Sequence, residues 1–207
     1  NSSLTKSPTP VLLGNLNTRP PWGKAEEPLN VSEGVDWVIT GGHGGLRIKS
    51  SALRNAGKLE LARKSKNFGV GIYRSHAYYY EEDCGWSIGV LLMPELFDEE
   101  KLRRASEVAK NWYPEEYTMV TGEEVQLEES SELRKRDFEE KTRNRFVVLA
   151  AWSKTSMNPD IPEGCCKVKA KRESDGKEFT TILTKEEYRA KREEFEFASY
   201  VFPEGYE

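Results

Sequence analysis

Apolar residues in the first half of the chain fall into short runs of two different periods. Residues 35–40 are β-branched and aromatic, residues 46–48 return the same character, and Gly41, Gly42, His43, Gly44 and Gly45 stand between them. That pattern predicts strand, glycine loop, strand. Short helices are predicted at 51–56, closed by Gly57, and at 59–64. At 98–112 Leu102, Ala105, Val108, Ala109 and Trp112 share one helical face, Asp98 supplies the cap, and Pro114 ends the helix. The run from Cys84 to Met93 carries no decisive period. The acids Glu81, Glu82 and Asp83 ahead of it suit the positive end of a helix, so a helix is predicted there.

Residues 68–73 read as a weak strand or a loop. The stretch 121–145 is strongly charged and predicts a solvated helix, and 146–152 predicts a buried strand. Residues 166–171 and 178–183 form a hairpin around Asp175 and Gly176. Thr184 with Glu187 makes a capping box for a short helix to 191, and a last strand is predicted at 195–202. Pro8, Pro10, Pro20, Pro21 and Pro28 preclude helix in the opening segment, where Val11, Leu12, Leu13 and Trp22 are apolar enough to dock. The expectation is an α+β fold, a mostly antiparallel sheet with helices packed on one side. It comprises an extended arm at 1–30 and a single domain at 31–207, with the charged segment 121–145 free to protrude.

Composition narrows the function. Five Trp, nine Tyr and eight Phe among 207 residues provide bulk for a core. The 31 basic and 35 acidic residues give a net charge of −4, which excludes the basic footprint of a general nucleic-acid binder. Nucleic acid is therefore not expected as a direct ligand. No window is apolar enough for a membrane span, and the opening residues lack a signal-like apolar stretch. Cys84, Cys165 and Cys166 are odd in number and without a CxxC spacing, which argues against a disulfide framework or a structural zinc site. A reducing bacterial cytoplasm is the expected location, and no cofactor or metal is expected.

Several clusters can carry chemistry. His43 among four glycines is either a ligand or general base on a backbone that approaches its target closely, or an exposed hairpin tip. Glu81, Glu82 and Asp83 either offset a helix dipole or join His43 or His76 in a mixed N/O metal site. Cys84 is either core packing or a nucleophile, and the latter requires one of the two histidines beside it. Tyr78, Tyr79 and Tyr80, with Arg74 and His76, are core and interface or a base-stacking surface. Cys165 and Cys166 read as packing at a strand start. Glu123, Glu124, Glu128, Glu129 and Glu132 are a solvated helix face or a surface for a basic partner.

Four segments together carry a family resemblance: Pro21-Trp22-Gly23, Gly42-His43-Gly44-Gly45, Tyr80-Glu81-Glu82-Asp83-Cys84, and the stretch from Leu183 to Arg189. In this order, over Pro21 to Phe202, the chain resembles an uncharacterised domain family of bacteriophages and plasmids with Pro-Trp-Gly, Ser-His-Gly-Gly and Tyr-Glu-Glu-Asp-Cys motifs. Gly42 stands where that pattern has serine. The resemblance implies an accessory protein of a mobile element that inhibits a host defence protein or complex, of anti-CRISPR or anti-restriction type, by stoichiometric binding. Trp22, Glu81, Glu82, Asp83, Glu123, Glu124, Glu128 and Glu129 are then the binding candidates. The alternative is a small hydrolase or nucleotide-processing enzyme with His43 and Cys84 as catalytic residues. A third reading is a structural or host-takeover adaptor without inhibitory action.

Overall fold

A computed structural model describes residues 20–26, 28–67, 70–190, 197 and 200–206. Val11, Leu12, Leu13 and most of the arm lie outside the described residues, as do residues 195, 196, 198 and 199 of the strand predicted at 195–202. The chain divides into two compact units, Asn1–Val125 and Gln126–Glu207.

In the first unit the chain runs β1 (Leu29–Ser32), β2 (Val35–Ile39), β3 (Gly44–Lys49), α1 (Ser50–Asn55), α2 (Leu59–Lys64), β4 (Ile72–Arg74), β5 (Ala77–Glu81), α3 (Trp86–Leu92), α4 (Glu99–Trp112) and α5 (Pro114–Thr121). The strands form one antiparallel sheet in the order β1-β2-β3-β5-β4. Alternation along the strands sends Val35, Leu46, Ile48, Tyr78 and Tyr80 into a core shared with α3, α4 and α5. Helix α3 runs through that core, with Ile88, Val90 and Leu92 fully buried. Gly89 is what lets it sit so close: a Cβ there would stand 2.9 Å from both the Tyr80 ring and Leu46 Cδ2.

The opposite face of the sheet carries Asp36, Val38, Gly45, Arg47 and Tyr79. Asp36 and Arg47 face each other across β2 and β3 and form an ion pair with both side chains under 5% exposed. Such a pair is held in place because each charge has lost its water and is compensated chiefly by its partner. Asn30 donates from Nδ2 to the other Asp36 oxygen at 3.0 Å.

Two expectations are corrected in this unit. Glu81, Glu82 and Asp83 do not open a helix: Glu81 is the last residue of β5, paired with Gly45, and α3 begins at Trp86 with no acid in its first turn. Backbone pairing to β3 claims Glu81 before a helix can start. Nor is 121–145 one helix. Gly122 at φ 79° ends α5 in the left-handed conformation that glycine tolerates best. The chain then runs through a single 3₁₀ turn at Leu127–Glu129 to Ser130, whose hydroxyl accepts from Leu133 N and caps α6 (Ser131–Thr142).

The β4–β5 hairpin turns on Ser75 and His76, at φ 51° and 63°. Neither is glycine, and left-handed backbone costs such residues about 1–2 kcal/mol each. The His76 carbonyl accepts from Ser50 N at 2.8 Å, which ties this turn to the start of α1.

The second unit contains α6, β6 (Phe146–Ser153), β7 (Cys165–Arg172), β8 (Glu178–Thr184) and α7 (Lys185–Ala190). The three strands form an antiparallel sheet, and Val148 N donates to Tyr200 O while Phe202 N donates to Phe146 O. Its core is aromatic: Phe179 lies edge-on to Phe146 at 4.7 Å and to Phe202 at 5.1 Å. The strand at β6 is as predicted but is buried only at its start. Phe146 and Val148 are inside, whereas Leu149 and Trp152 are 59% and 39% exposed, because the register shifts between Val148 and Ala150. Across both units the architecture is α+β with antiparallel sheets.

Candidate functional site at the glycine hairpin

Sequence decides the shape of the β2–β3 connection. Thr40 N and Thr40 Oγ1 both donate to His43 O at 2.7 Å, and His43 N donates back to Thr40 Oγ1 at 3.2 Å. This closes a tight turn with His43 at an exposed tip. None of the four surrounding glycines adopts a positive φ. A Cβ on Gly41 or Gly42 would meet nothing, so only the other two need to be glycine. On Gly44 it would fall 2.7 Å from Glu82 Oε2, and on Gly45 it would run into Tyr80 O and stand 2.6 Å from Trp22 Cη2. The glycines therefore admit neighbours from the same chain.

These contacts bring together three of the four segments that carry the resemblance. Trp22 lies over Gly45 and meets Tyr79 edge-on at 6.0 Å. The segment behind it adds to the sheet, with Ala25 bridged to Thr40 and Glu26 N donating to Ile39 O at 2.8 Å. Glu82 N donates to Gly44 O at 3.0 Å, and His43 Nδ1 approaches Glu82 Oε1 at 4.0 Å, with both side chains about half exposed. The Leu183–Arg189 segment belongs to the other unit.

Next to this contact stand Glu81, Asp83 and Cys84. Burial, then the charge of Asp83 and a hydrogen bond to it, pushes the Glu81 carboxyl up. A proton is thereby favoured between two neighbouring carboxyls. Burial also pushes the Cys84 thiol up, reinforced by Asp83 and Glu81. Nucleophilic cysteines need the reverse, a cationic neighbour that favours thiolate. With native protein at pH 7.5, iodoacetamide is expected to alkylate Cys84 at least about tenfold more slowly than a free peptide thiol. Mass spectrometry of the modified peptide reads the rate; an equal rate would show an unshielded thiol, and a faster one an activated thiol.

One residue that sequence reading did not single out faces this cluster, and a second lies beside it. Tyr113, at the junction of α4 and α5, has its hydroxyl pushed up by burial and then by Cys84, Glu81, Glu116 and Asp83. Glu116 is 6% exposed and accepts from Asn67 Nδ2 at 2.7 Å. The available signal was the Tyr113-Pro114 step, where one helix stops and the next starts. Among the described residues no three His, Cys, Asp or Glu side chains are grouped to hold a metal ion, and no helix is long and apolar enough to cross a membrane.

The acidic stretch is divided between the two units. Glu123 accepts from the Tyr117 hydroxyl at 2.7 Å and, with Glu124, belongs to the first unit. Glu128 and Glu129 sit in the 3₁₀ turn of the second, where Glu129 accepts from Gln126 N at 3.0 Å.

Residues 15–143 match a family described as a domain of unknown function, DUF7007. The match takes in the three segments that meet here, and it crosses the boundary between the two units. No curated protein and no solved structure matches the chain.

Proposed function

The chain belongs to the DUF7007 family, and on that premise we propose that it acts by stoichiometric binding of a protein partner, without turnover. The observation that carries this reading is how the family-like residues are used. Trp22 is spent on Gly45, and the Glu82 backbone on Gly44, as joints of the fold. What remains outward at this end of the sheet is an acid-rich rim with Glu82 and Asp83 exposed. Such a rim suits a basic surface on the partner, for which charge complementarity raises the encounter rate and excludes wrong partners. The resemblance to phage and plasmid accessory proteins points to a bacterial defence component, of CRISPR or restriction type, as that partner.

A second reading rests on the His43–Glu82 approach beside the Glu81–Asp83 pair. An imidazole 4.0 Å from one carboxylate, next to a carboxyl pushed up by burial, offers a base and an acid for hydrolysis of a small substrate or nucleotide. Cys84 has no part in that version.

Affinity capture from bacterial lysate, followed by mass spectrometry and stoichiometry, separates the two. One defence component in 1:1 proportion is expected, retained by His43→Ala and Cys84→Ala. The double charge reversal Glu82→Lys with Asp83→Lys is expected to weaken it at least about tenfold. Turnover by the purified protein, abolished by His43→Ala at an unchanged melting temperature, would overturn binding in favour of the enzyme.

A further inference from the structure

A second feature of the first unit lies away from the glycine hairpin. A cavity of about 290 Å³ is lined by Arg47, Lys49, Ser50, Ser51, Arg54, Ser75, His76 and Ala77. In a chain of net charge −4, no acid is among these lining residues. Arg47 is committed to Asp36, so its charge is already balanced. Lys49 and Arg54 are exposed and form no ion pair among the described residues, so they supply the net positive charge.

Polar groups complete the lining. The Ser50 hydroxyl is shielded from solvent and has no hydrogen-bond partner, a state that ordinarily calls for a missing one. Ser51 and Ser75 are exposed and add two more hydroxyl donors. Ser75 and His76 are held left-handed to form this wall, with the His76 carbonyl tied to Ser50 N. Strained non-glycine backbone persists where the surroundings over-determine it, and it concentrates at ligand clamps.

We infer that this pocket binds the phosphate group of a small phosphomonoester or free phosphate, gripped by Lys49, Arg54 and the hydroxyls of Ser51 and Ser75, with the Ser50 hydroxyl behind them. Two cations and two accessible hydroxyl donors match a compact tetrahedral dianion better than a planar carboxylate, which offers only two oxygens. The volume holds one phosphate, and the open mouth lets a substituent extend outside it. Tyr73 is 46% exposed, and its hydroxyl lies 3.5 Å from His76 Nδ1, which puts an aromatic ring beside the mouth for a base or sugar.

The test uses the whole chain, with inorganic phosphate and adenosine 5′-monophosphate as probes, by calorimetry and thermal melting at constant ionic strength. Both probes are expected to bind and to raise the melting temperature as their concentration rises. Equal affinity marks a free-phosphate site, and tighter binding of the nucleotide marks a phosphomonoester site. Arg54→Gln and Lys49→Gln, both on exposed side chains, are each expected to weaken binding about tenfold, the worth of one charge-assisted hydrogen bond. Arg103→Gln on the exposed face of α4 is expected to change nothing. If neither probe shifts melting beyond chloride at the same ionic strength, or if Arg54→Gln binds as tightly as the parent, the pocket is not a phosphate site.

Discussion

Replacing Asp36 with alanine is expected to destabilise the protein by about 3–5 kcal/mol, the cost of leaving one member of a buried ion pair alone. Arg47 would keep its guanidinium 3% exposed, with no carboxylate to meet Nε and Nη2. Asn30 would also lose the oxygen it donates to. Against the 5–15 kcal/mol that usually separates folded from unfolded chains, such a loss moves a urea midpoint visibly. The double replacement Asp36→Leu with Arg47→Met is expected to recover most of it, because no charge is then stranded. Urea denaturation of the two singles and the double closes the cycle. A loss below about 1 kcal/mol in Asp36→Ala would mean that Arg47 regains water through the cavity it lines.

Gly45→Ala is expected to cost about 2–4 kcal/mol through overpacking. The added methyl meets the Tyr80 carbonyl on one side and Trp22 on the other. A backbone carbonyl inside a paired strand cannot step aside, whereas the indole can. Adding Trp22→Ala is therefore expected to restore only part of the loss, and the two changes should be non-additive, as contacting pairs generally are. Thermal melting of the two singles and the double reads this. Full recovery on removing Trp22 would assign the whole clash to the indole, and strict additivity would mean that Trp22 does not lie over Gly45 in solution.

Much of this fold is written locally. The amphipathic period and the Asp98 cap of α4 predict what is found, with Lys101 N donating to Asp98 Oδ1 at 2.7 Å. The Asp175-Gly176 turn likewise fixes the β7–β8 hairpin, with Gly176 at φ 71°. Other elements depend on partners distant in sequence. Tyr78, Tyr79 and Tyr80 carry no alternation, yet they form a strand because β3 pairs with them and because both faces of the sheet are buried there. Asp36 and Arg47 alternate with apolar neighbours and read as solvent-facing, and only the fold brings them together indoors. The hairpin turn at Ser75 and His76 lacks the glycine or asparagine that marks left-handed turns in a sequence. The segment 121–145 is charged in both signs and has no clear period, and the break in it is marked only by Gly122, a helix stop, and Ser130, a helix cap.

The candidate site was legible in part for the same reason. His43, Glu82 and Trp22 stand out as unusual residues in unusual local company. That Gly44 and Gly45 exist to receive Glu82 and Trp22 could be seen only once β3 and β5 were paired. Tyr113 reaches the cluster from a helix junction, and its one local mark is the Pro114 that follows it.

The strand lengths of the first sheet also bear on how the protein behaves at high concentration. Its outer strands are β1, four residues long and irregular between Asn30 and Ser32, and β4, three residues long. Short or bulged margins offer a neighbouring molecule few free backbone groups in register, which is how natural sheets avoid stacking edge to edge into aggregates. The second sheet has longer outer strands, β6 of eight residues and β8 of seven; residues 200–202 pair with the start of β6, and Glu178 places a charge at the start of β8, both of which discourage the same event. Short strands guard one sheet against edge-to-edge association, and a covering segment and a charge guard the other.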